Sequence, residues 1–536
     1  MSDAAPDLSA SRGSPRWALL VVIVGAVAVR LWSWSWAMQM TNDGIDFLWQ
    51  AQRLLAGEFE LMLRHPYHPL TGALIAALSW LPGGVMTGAV AVSALSGALI
   101  VLAAHDIARM AFPHLRHAGL WAAVLAALHS RTIIYTSDVQ SDGLFLALFL
   151  FAIRMSFASV ERGVCRRRMA AAGLLTGLAY LTRPEGLFVA LPLGLWALSA
   201  WRRAEPSRAR VVSGVATFAL VLVVVALPYV LTVHRYTGTW GISMKPSLSA
   251  VGLSQGEKTN RPPDEAPISS PKVRRATVVP TEASPPPVAE PKQGSLLPLP
   301  WVQADTRRLQ DSALRQSLDT FVNTLREDTL VMALIGLFAL WRWRRGTAVL
   351  LLLVCGAWIA LSTYHLMQST YLSARHIMAP MVLMLPLGGA GIAVAWSAAR
   401  EQPWLRWGLR VLVLLSLLAM LASGVRPRHE DHGPRLDALA WVAAQTEADE
   451  RIGVHRRKDG WYAQRRVLVV TTPCDENDLL KKMERYGVRY LVFDAHRIAR
   501  HMPHWLEGGP MRQVKDFSLS DGVGKVIVFE RADLGG

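Results

Sequence analysis

The fold of this chain is decided near its start, where residues 17–47 have the sequence WALLVVIVGAVAVRLWSWSWAMQMTNDGIDF. Its first part, Trp17–Leu31, is apolar, and with its flanks it reaches the roughly 20 residues that a bilayer crossing needs. No small-residue cleavage site follows. Instead three tryptophans occur within residues 32–36, and tryptophan is typical of the membrane–water interface. The segment is therefore predicted to be an uncleaved first crossing that presents Asp43 and Asp46 at the membrane surface.

Further apolar segments repeat this pattern along the chain. Hydrophobic residues make up 52% of the 536 positions and charged residues only 18%, with a mean hydropathy of +0.27. The apolar stretches are too long and too numerous for the surface helices of a soluble protein. We predict about eleven crossings, near residues 17–36, 85–104, 118–134, 142–160, 168–182, 186–201, 211–233, 328–341, 346–364, 376–396 and 407–424.

Arginines cluster in every second turn between these segments. By the positive-inside rule such turns are cytoplasmic. With an odd number of crossings, the N-terminus is then inside and the C-terminus outside, which predicts a multi-pass protein of the cytoplasmic (inner) membrane. The arginines of these turns are Arg109, Arg116, Arg162, Arg166, Arg167, Arg168, Arg202, Arg203, Arg208, Arg210, Arg342, Arg344, Arg345, Arg400, Arg406 and Arg410.

The net charge of +16 has the same origin. In a soluble chain this charge would suggest a nucleic-acid partner. Here much of it lies in the short turns that set the topology, so no nucleic acid is expected. Contact with anionic membrane lipids of the cytoplasmic leaflet is the simpler consequence.

Three segments are predicted to lie outside the membrane: residues 37–68, 234–327 and 425–536. Within the second, residues 250–298 are rich in Pro, Ser, Lys and Glu and are predicted to be disordered, because they cannot bury enough apolar surface to offset the cost of ordering. The third is predicted to be a small soluble α/β domain. The chain thus divides into a membrane domain, 1–424, and a C-terminal domain, 425–536.

Local patterns predict smaller elements. Leucine and phenylalanine between residues 314 and 325 share one helical face, which indicates an amphipathic helix at the interface. Pro69–Leu81 is predicted to dip at the outer face, because the Pro-Gly-Gly sequence at residues 82–84 stops it short of a crossing. In the tail we predict strands at Val467–Thr471, Arg489–Phe493 and Lys525–Phe529 and a helix at Asp478–Tyr486.

Polar motifs interrupt the apolar pattern on the predicted outer side. They contain acidic residues, arginines and histidines at the starts of crossings or between them. The motifs are Thr41-Asn42-Asp43-Gly44-Ile45-Asp46-Phe47, Ala51-Gln52-Arg53-Leu54-Leu55-Ala56-Gly57, His65-Pro66-Tyr67-His68-Pro69-Leu70, Ser137-Asp138-Val139-Gln140-Ser141-Asp142, Tyr180-Leu181-Thr182-Arg183-Pro184-Glu185-Gly186 and Tyr371-Leu372-Ser373-Ala374-Arg375-His376-Ile377-Met378-Ala379-Pro380.

In their order and common side these motifs resemble the type C glycosyltransferases, membrane enzymes that use polyprenyl-phosphate-linked sugars. The chain is most similar to the bacterial branch related to protein O-mannosyltransferases and lipid A aminoarabinose transferases. The resemblance covers most of residues 17–424. It implies that Asp43 is the catalytic aspartate and that Asp142 occupies the second acidic position. The chain departs from the family pattern at Gly44, where Glu is usual, and at Tyr67 or His68, where Lys is usual.

The chemistry agrees with this resemblance. Sugar transfer breaks a bond at an anomeric carbon through an oxocarbenium-like transition state. A carboxylate can take the acceptor's proton, and arginine can stabilise the departing phosphate. The catalytic candidates are Asp43 and Asp142. The candidates for substrate binding are Asp46, His65, His68, Asp138, Arg183, Glu185, Lys245, Arg375 and His376.

Each candidate also has a purely structural interpretation. The aspartates at helix starts can act as caps, and Arg183 and Arg375 can be interfacial anchors, with Glu185 as an ion-pair partner of Arg183. Arg30, near the outer end of the first crossing, can snorkel to the interface. Lys245 at the start of the second external segment can be a solvated charge.

The sequence requires no cofactor. His65 and His68 suggest a metal site, but without a third ligand their packing around the neighbouring prolines is the simpler interpretation. No disulfide or zinc site is predicted from the three cysteines, Cys165, Cys355 and Cys474. A divalent cation is left open, and no metal ligand is assigned.

The prediction is therefore a glycosyltransferase that acts on a lipid, glycan or protein acceptor. Its main rival is a transporter or lipid flippase. Transporters commonly have internal repeats and polar groups near the bilayer midplane, whereas this chain has no obvious repeat and keeps its acidic groups at one face. A non-catalytic scaffold is a third alternative, which the acidic external loop disfavours.

The topology can be tested by cysteine labelling in a variant without the native cysteines. Glu290→Cys and Arg500→Cys are expected to react with a membrane-impermeant maleimide from the outside, because both lie in predicted external segments. Arg167→Cys, in an arginine-rich turn, is the control and should react only after permeabilisation. Labelling of position 290 or 500 only from the cytoplasm would overturn the orientation.

Overall fold

The computed structural model describes residues 16–37, 39–162, 164–191, 193–194, 208–244, 302–369, 372–426, 433–470, 476–506, 509–518 and 525–532. Lys245, Cys474 and the segment predicted to be disordered, 250–298, lie outside these ranges. The chain divides into two compact units. Unit 1 comprises Met1–Pro262 and Ser317–Gly433, and unit 2 comprises Pro263–Gln316 and Pro434–Gly536.

The membrane domain is helical throughout its described parts. Its helices are α1 Arg16–Ser35, α2 Asn42–Leu55, α3 Phe59–Leu63, α4 Leu70–Ala77, α5 Gly84–Ala111, α6 Ala118–Leu128, α7 Ser130–Ser137, α8 Ser141–Arg162, α9 Arg166–Thr182, α10 Arg208–Thr237, α11 Val302–Leu325, α12 Glu327–Trp343, α13 Arg345–Ser369, α14 Met378–Ala398 and α15 Pro403–Gly424. Short 3₁₀ helices occur at Pro184–Val189, Ala374–Ile377 and Ala399–Glu401.

Several of these helices are membrane spans by length and composition, so the protein is a multi-pass membrane protein. In the described part of the chain seven helices are long and apolar enough to cross a membrane. The number rises to eight if the bent pair α6–α7 is counted as one span. The predicted crossings at 168–182 and 328–341 correspond to α9 and α12, which are helices of 17 residues each. The predicted crossing at 186–201 begins within the 3₁₀ helix Pro184–Val189 and continues into residues that are not described.

The predicted crossing at 118–134 is not one continuous helix, and Arg30 forms hydrogen bonds on both sides of its break. Helices α6 and α7 meet at His129 with a bend of 57°. Arg30 Nη1 donates to the carbonyl of Ala127 at 3.0 Å, and its Nε donates to Thr136 Oγ1 at 2.7 Å. These bonds satisfy polar groups near the bend that would otherwise be unpaired within the bundle. Arg30 is completely buried, so the snorkelling interpretation of this residue is wrong.

Helices α12 and α14 approach closely because both carry glycine at their contact. A Cβ atom on Gly336 would collide with the carbonyl of Leu387, and one on Gly391 would collide with the carbonyl of Met332. Small residues at such crossings let two helix backbones approach closely, which favours association inside a membrane. Helix α14 is buried along most of its length, so this contact lies in the middle of the membrane domain.

We expect Gly391→Ala to destabilise the protein, because the added methyl group meets backbone atoms that cannot move aside. The matched control is Gly356→Ala in α13, where an added Cβ meets nothing within 4 Å. Overpacking of this kind costs about 1–3 kcal/mol, whereas alanine at an open helical site is neutral or mildly stabilising. Thermal unfolding of the purified variants measures the difference. Equal melting temperatures would contradict the close contact.

The C-terminal unit contains a five-stranded mixed sheet. Its strands are β1 Arg451–Val454, β2 Arg466–Val469, β3 Tyr490–Asp494, β4 Met511–Phe517 and β5 Val526–Arg531, in the order β2-β1-β3-β5-β4. Strands β1, β2 and β3 are parallel, and β5 pairs antiparallel with β3 and β4. The helices are α16 Gly433–Gln445, α17 Asp459–Ala463, α18 Glu476–Arg485 and α19 Ala495–His501, with a 3₁₀ turn at Pro503–Leu506.

The α/β class of this domain is confirmed. The predicted strands coincide with β2, β3 and β5, and the predicted helix coincides with α18. Strand β1 was not predicted because glycine interrupts its short apolar run, and β4 was not predicted because most of its side chains are exposed and polar. The predicted amphipathic helix is part of α11, and its location at the membrane interface remains a prediction.

Candidate active site

Four charged residues from distant parts of the sequence meet within unit 1. Asp43 lies in the first turn of α2 and Asp142 in the first turn of α8. Arg183 immediately precedes the 3₁₀ helix Pro184–Val189, and Arg375 belongs to the 3₁₀ helix Ala374–Ile377. The sequence motifs that contain these residues are therefore brought to one place. We refer to the four residues as the charge cluster.

The charges of the cluster alternate. Arg375 Nη2 is 2.8 Å from Asp43 Oδ2 and 3.5 Å from Asp142 Oδ2. Arg183 Nη1 is 2.6 Å from Asp142 Oδ1, and its Nη2 is 3.0 Å from Glu185 Oε1. The Asp142 side chain is only 2% exposed, so both of its arginine partners are needed to stabilise its charge. Asp43 and Arg375 are more accessible, with 16% and 25% of their side chains exposed.

Arg183 is a permanent cation in this environment. Burial alone would lower the pKa of its guanidinium, but the carboxylates of Asp142 and Glu185 raise it above its ordinary value. The ring of Phe145 lies 5.9 Å from the guanidinium carbon. Arg183 therefore carries a fixed positive charge beside an apolar surface.

That apolar surface is aromatic. The ring centroid of Trp358 lies 6.2 Å from Phe145, 5.6 Å from Phe149 and 5.9 Å from Phe188. The indole of Trp358 also donates to the backbone carbonyl of His376 at 2.8 Å. The same side chain thus packs against the aromatic group and holds the backbone next to Arg375.

Tyr67 is a site residue that the candidate set missed. Its hydroxyl donates a hydrogen bond to Asp43 Oδ1 at 2.7 Å, on the carboxylate oxygen that Arg375 does not bind. Burial raises the pKa of the Tyr67 hydroxyl, and the negative charge of Asp43 raises it further, so the proton stays on the tyrosine. The signal was the Pro-Tyr-His-Pro sequence, where either Tyr67 or His68 replaces the usual lysine of the resembling family.

His68 occupies a different environment. It is 2% exposed, and its Nδ1 hydrogen-bonds the backbone carbonyl of Tyr180 at 2.6 Å. Its ring also packs against Tyr180 and Tyr229. His68 thus joins the loop before α4 to α9 and α10.

Asp46 and His65 form a supporting pair one turn along α2. His65 Nε2 is 3.3 Å from Asp46 Oδ1, and the imidazole stacks on the ring of Tyr67 with centroids 5.4 Å apart. Through this stacking His65 helps to place the tyrosine that binds Asp43. Among the described residues, no group of three or more His, Cys, Asp or Glu side chains could hold a metal ion.

Asp138 and His376 hold the backbone around the cluster. Asp138 accepts a hydrogen bond from the amide of Val139 at 2.7 Å and one from the amide of Thr41 at 3.4 Å, which links the residues preceding α2 and α8. His376 Nδ1 accepts from the amide of Ser373 at 3.2 Å and thereby closes the turn that carries Arg375. Lys245, the remaining candidate, lies outside the described residues.

Comparison with known proteins shows which families and folds this chain resembles. Residues 64–229 match the family model described as dolichyl-phosphate-mannose-protein mannosyltransferase. ArnT from Cupriavidus metallidurans in the apo state is similar over 98% of this chain and 100% of its own, with a TM-score of 0.63 and 14% identity. The structure of the same protein bound to undecaprenyl phosphate has a TM-score of 0.61 and 13% identity, with the same coverage of both chains. No curated protein sequence matches the chain.

A third similar structure is the Archaeoglobus fulgidus oligosaccharyltransferase. It has a TM-score of 0.57 and 12% identity, and the match covers 96% of this chain and 73% of that one. The fold is therefore the type C glycosyltransferase fold. Over residues 64–229 the chain is similar to dolichyl-phosphate-mannose-protein mannosyltransferases, and over nearly its whole length it shares the fold of ArnT. Nothing in these comparisons supports a transporter or flippase.

We expect Asp142→Asn to destabilise the protein, because both Arg183 and Arg375 lose a buried counter-charge. Each arginine keeps one other carboxylate, so the loss should be about 1–3 kcal/mol, below the full cost of leaving a buried charge unpaired. The matched control is Glu185→Gln, since Glu185 also binds Arg183 but is 29% exposed. A Glu185 variant that melts at a lower temperature than the Asp142 variant would contradict the central place of Asp142.

Proposed function

We propose that this protein transfers a sugar from a polyprenyl-phosphate donor to an acceptor at the extracytoplasmic face of the inner membrane, with inversion at the anomeric carbon. One observation carries this proposal. The Asp43 carboxylate lies at the more accessible end of a cluster that also contains two arginines, so a base and an anion-binding group are adjacent. Transfer from a lipid phosphate needs both groups at the membrane surface.

Arg375 and Arg183 are the residues proposed to bind the donor phosphate. Arginine binds phosphate with paired donors in a fixed fork, and its charge stabilises the leaving group as the glycosidic bond breaks. ArnT, which shares the fold, has been crystallised with undecaprenyl phosphate, and this supports a lipid phosphate as the donor. The aromatic group around Trp358, next to Arg183, is a suitable surface for the first prenyl units.

Asp43 is proposed to be the general base. The acceptor oxygen or nitrogen forms a bond to the anomeric carbon, while the bond from that carbon to the phosphate oxygen breaks. The bonding electrons leave with the polyprenyl phosphate, and the acceptor's proton passes to Asp43. Because Arg375 binds one carboxylate oxygen of Asp43, a donor phosphate at Arg375 would weaken that ion pair and increase the basicity of the carboxylate when the substrate is present.

The two arginines provide the positive charge that a divalent cation supplies in other phosphate sites, so we propose a reaction without a required metal. The proposed side of the reaction is supported by the arginine-rich turns, which predict that the start of α2 lies outside. The acceptor is a lipid, a glycan or a protein.

Replacement of Asp43 by asparagine tests the proposal. Asp43→Asn keeps the size of the side chain and an acceptor for the Tyr67 hydroxyl, but it cannot take a proton. Loss of a general base typically lowers the rate about 10²–10⁴-fold. We therefore expect transfer from undecaprenyl-phosphate-linked sugars to fall in this range, while binding of undecaprenyl phosphate persists. Initial rates and lipid binding on purified protein measure the two effects.

Asp46→Asn is the comparison, because it makes the same chemical change one turn along the same helix. Asp46 pairs with His65 and is not the proposed base, so its loss should lower the rate less than about tenfold. A larger loss of transfer rate in the Asp46 variant than in the Asp43 variant would show that Asp43 is not the base. Full activity in both variants would remove the α2 loop from the active site.

A further inference from the structure

The strand order of the C-terminal sheet reverses between β1 and β3. From β1 the chain passes to β2 on one side, and then crosses to β3 on the other side of β1. All three strands are parallel, so the connections after β1 and β3 leave the same edge of the sheet in opposite directions. In open α/β sheets, ligands bind at the carboxyl ends of the strands where the chain order reverses in this way.

Basic side chains are concentrated at this edge. The four residues that follow β1 are His455-Arg456-Arg457-Lys458, and the end of β3 is followed by His496 and Arg497. Within residues 455–459 and 494–497 there are four arginines and lysines and two aspartates. The edge is therefore electropositive, which suits an anionic ligand.

The arginines are arranged around one carboxylate. Arg435, from α16, is 1% exposed and forms ion pairs with Asp494 and with Asp459, the latter at 2.9 Å. Arg456 Nη2 and Arg497 Nε each lie 3.6 Å from the second oxygen of Asp494. Three guanidinium groups thus surround Asp494. That of Arg435 is buried beneath the carboxylate, and those of Arg456 and Arg497, the rim arginines, are partly exposed.

The rim arginines differ from Arg435 in accessibility. Their side chains are 24% and 32% exposed, whereas that of Arg435 is 1% exposed. His455 lies beside them, and burial together with the charges of Arg497 and Arg435 lowers the pKa of its imidazole. Arg497 and Arg435 thus contribute positive charge beside His455.

We propose that the sheet edge at the carboxyl ends of β1 and β3 binds a phosphate or carboxylate group carried by a sugar, with Arg456 and Arg497 as its direct ligands. Arg435 positions the rim by fixing Asp494. The paired donors of arginine fit such anions, and partial exposure keeps the cost of desolvation low. The choice of a sugar rests on the proposed transferase function, whereas the anion site depends only on the residues of this domain.

Hydrogen exchange of the full-length protein in phosphatidylcholine nanodiscs can test the site. The probe is glucose 6-phosphate, with glucose as the uncharged comparison and undecaprenyl phosphate as the lipid-borne phosphate. At ten times the dissociation constant, glucose 6-phosphate should slow exchange about tenfold in peptides covering residues 452–462 and 490–500. Glucose should leave these peptides unchanged.

The variant Arg456→Gln/Arg497→Gln should lose this protection, while Arg500→Gln, an exposed arginine on the same helix α19, should keep it. Exchange of β2 and β5 without ligand shows whether the double variant is folded. If it is not, Arg456→Lys/Arg497→Lys is used, which keeps the charges and should weaken protection at least threefold. Protection of the Arg456→Gln/Arg497→Gln variant equal to that of the wild type, or no protection of the wild type by glucose 6-phosphate, would overturn the site.

Protection of the same peptides by undecaprenyl phosphate alone would also overturn the proposal, because the anion would then be a lipid headgroup. These readouts do not depend on sugar transfer. If glucose 6-phosphate gives no protection but Asp43→Asn abolishes transfer, the anion site is wrong and the transferase function is retained. If protection is seen but Asp43→Asn keeps full activity, the anion site is retained and Asp43 is not the base.

Discussion

The membrane domain depends on the ion pairs of Asp142 with Arg183 and Arg375. A carboxylate that is 2% exposed is costly unless cations surround it, and here Arg183 and Arg375 come from two different parts of the chain. Its position at the start of α8 brings the turn after α9 and the turn before α14 to the same place. The residue that balances the charges of the site therefore also determines which helices meet.

The break between α6 and α7 allows this arrangement. A straight helix through His129 would carry the residues before α8 in another direction. Arg30 and Thr132 instead satisfy the backbone carbonyls near the bend, with Thr132 Oγ1 donating to Ala126 at 2.8 Å. Ser33 then contacts Ser137, and Asp138 contacts the residue before α2. A buried polar network within the membrane thus sets the distance between the first and the second acidic motif.

The sequence predicted the residues of the charge cluster because each lies in a local motif at or next to the end of a helix. It did not predict the bend at His129, because neither glycine nor proline marks the break, although the polar residues 129–132 interrupt the apolar run there. It also left Tyr67 and His68 as alternatives. The two residues are adjacent in the sequence, and only the packing shows that Tyr67 contacts Asp43 whereas His68 is buried against Tyr180.

The order of these residues along the chain has a consequence for biogenesis. Asp43 and Arg375 occur near opposite ends of the membrane domain's sequence, so a nascent chain exposes the first acidic motif long before its arginine partner has been synthesised. Non-local contacts of this kind form late and slowly. During insertion Asp43 and Asp142 must therefore stay hydrated at the membrane surface. The charge cluster closes only when the turn before α14 arrives, which makes this ion-pair network a marker of completed assembly.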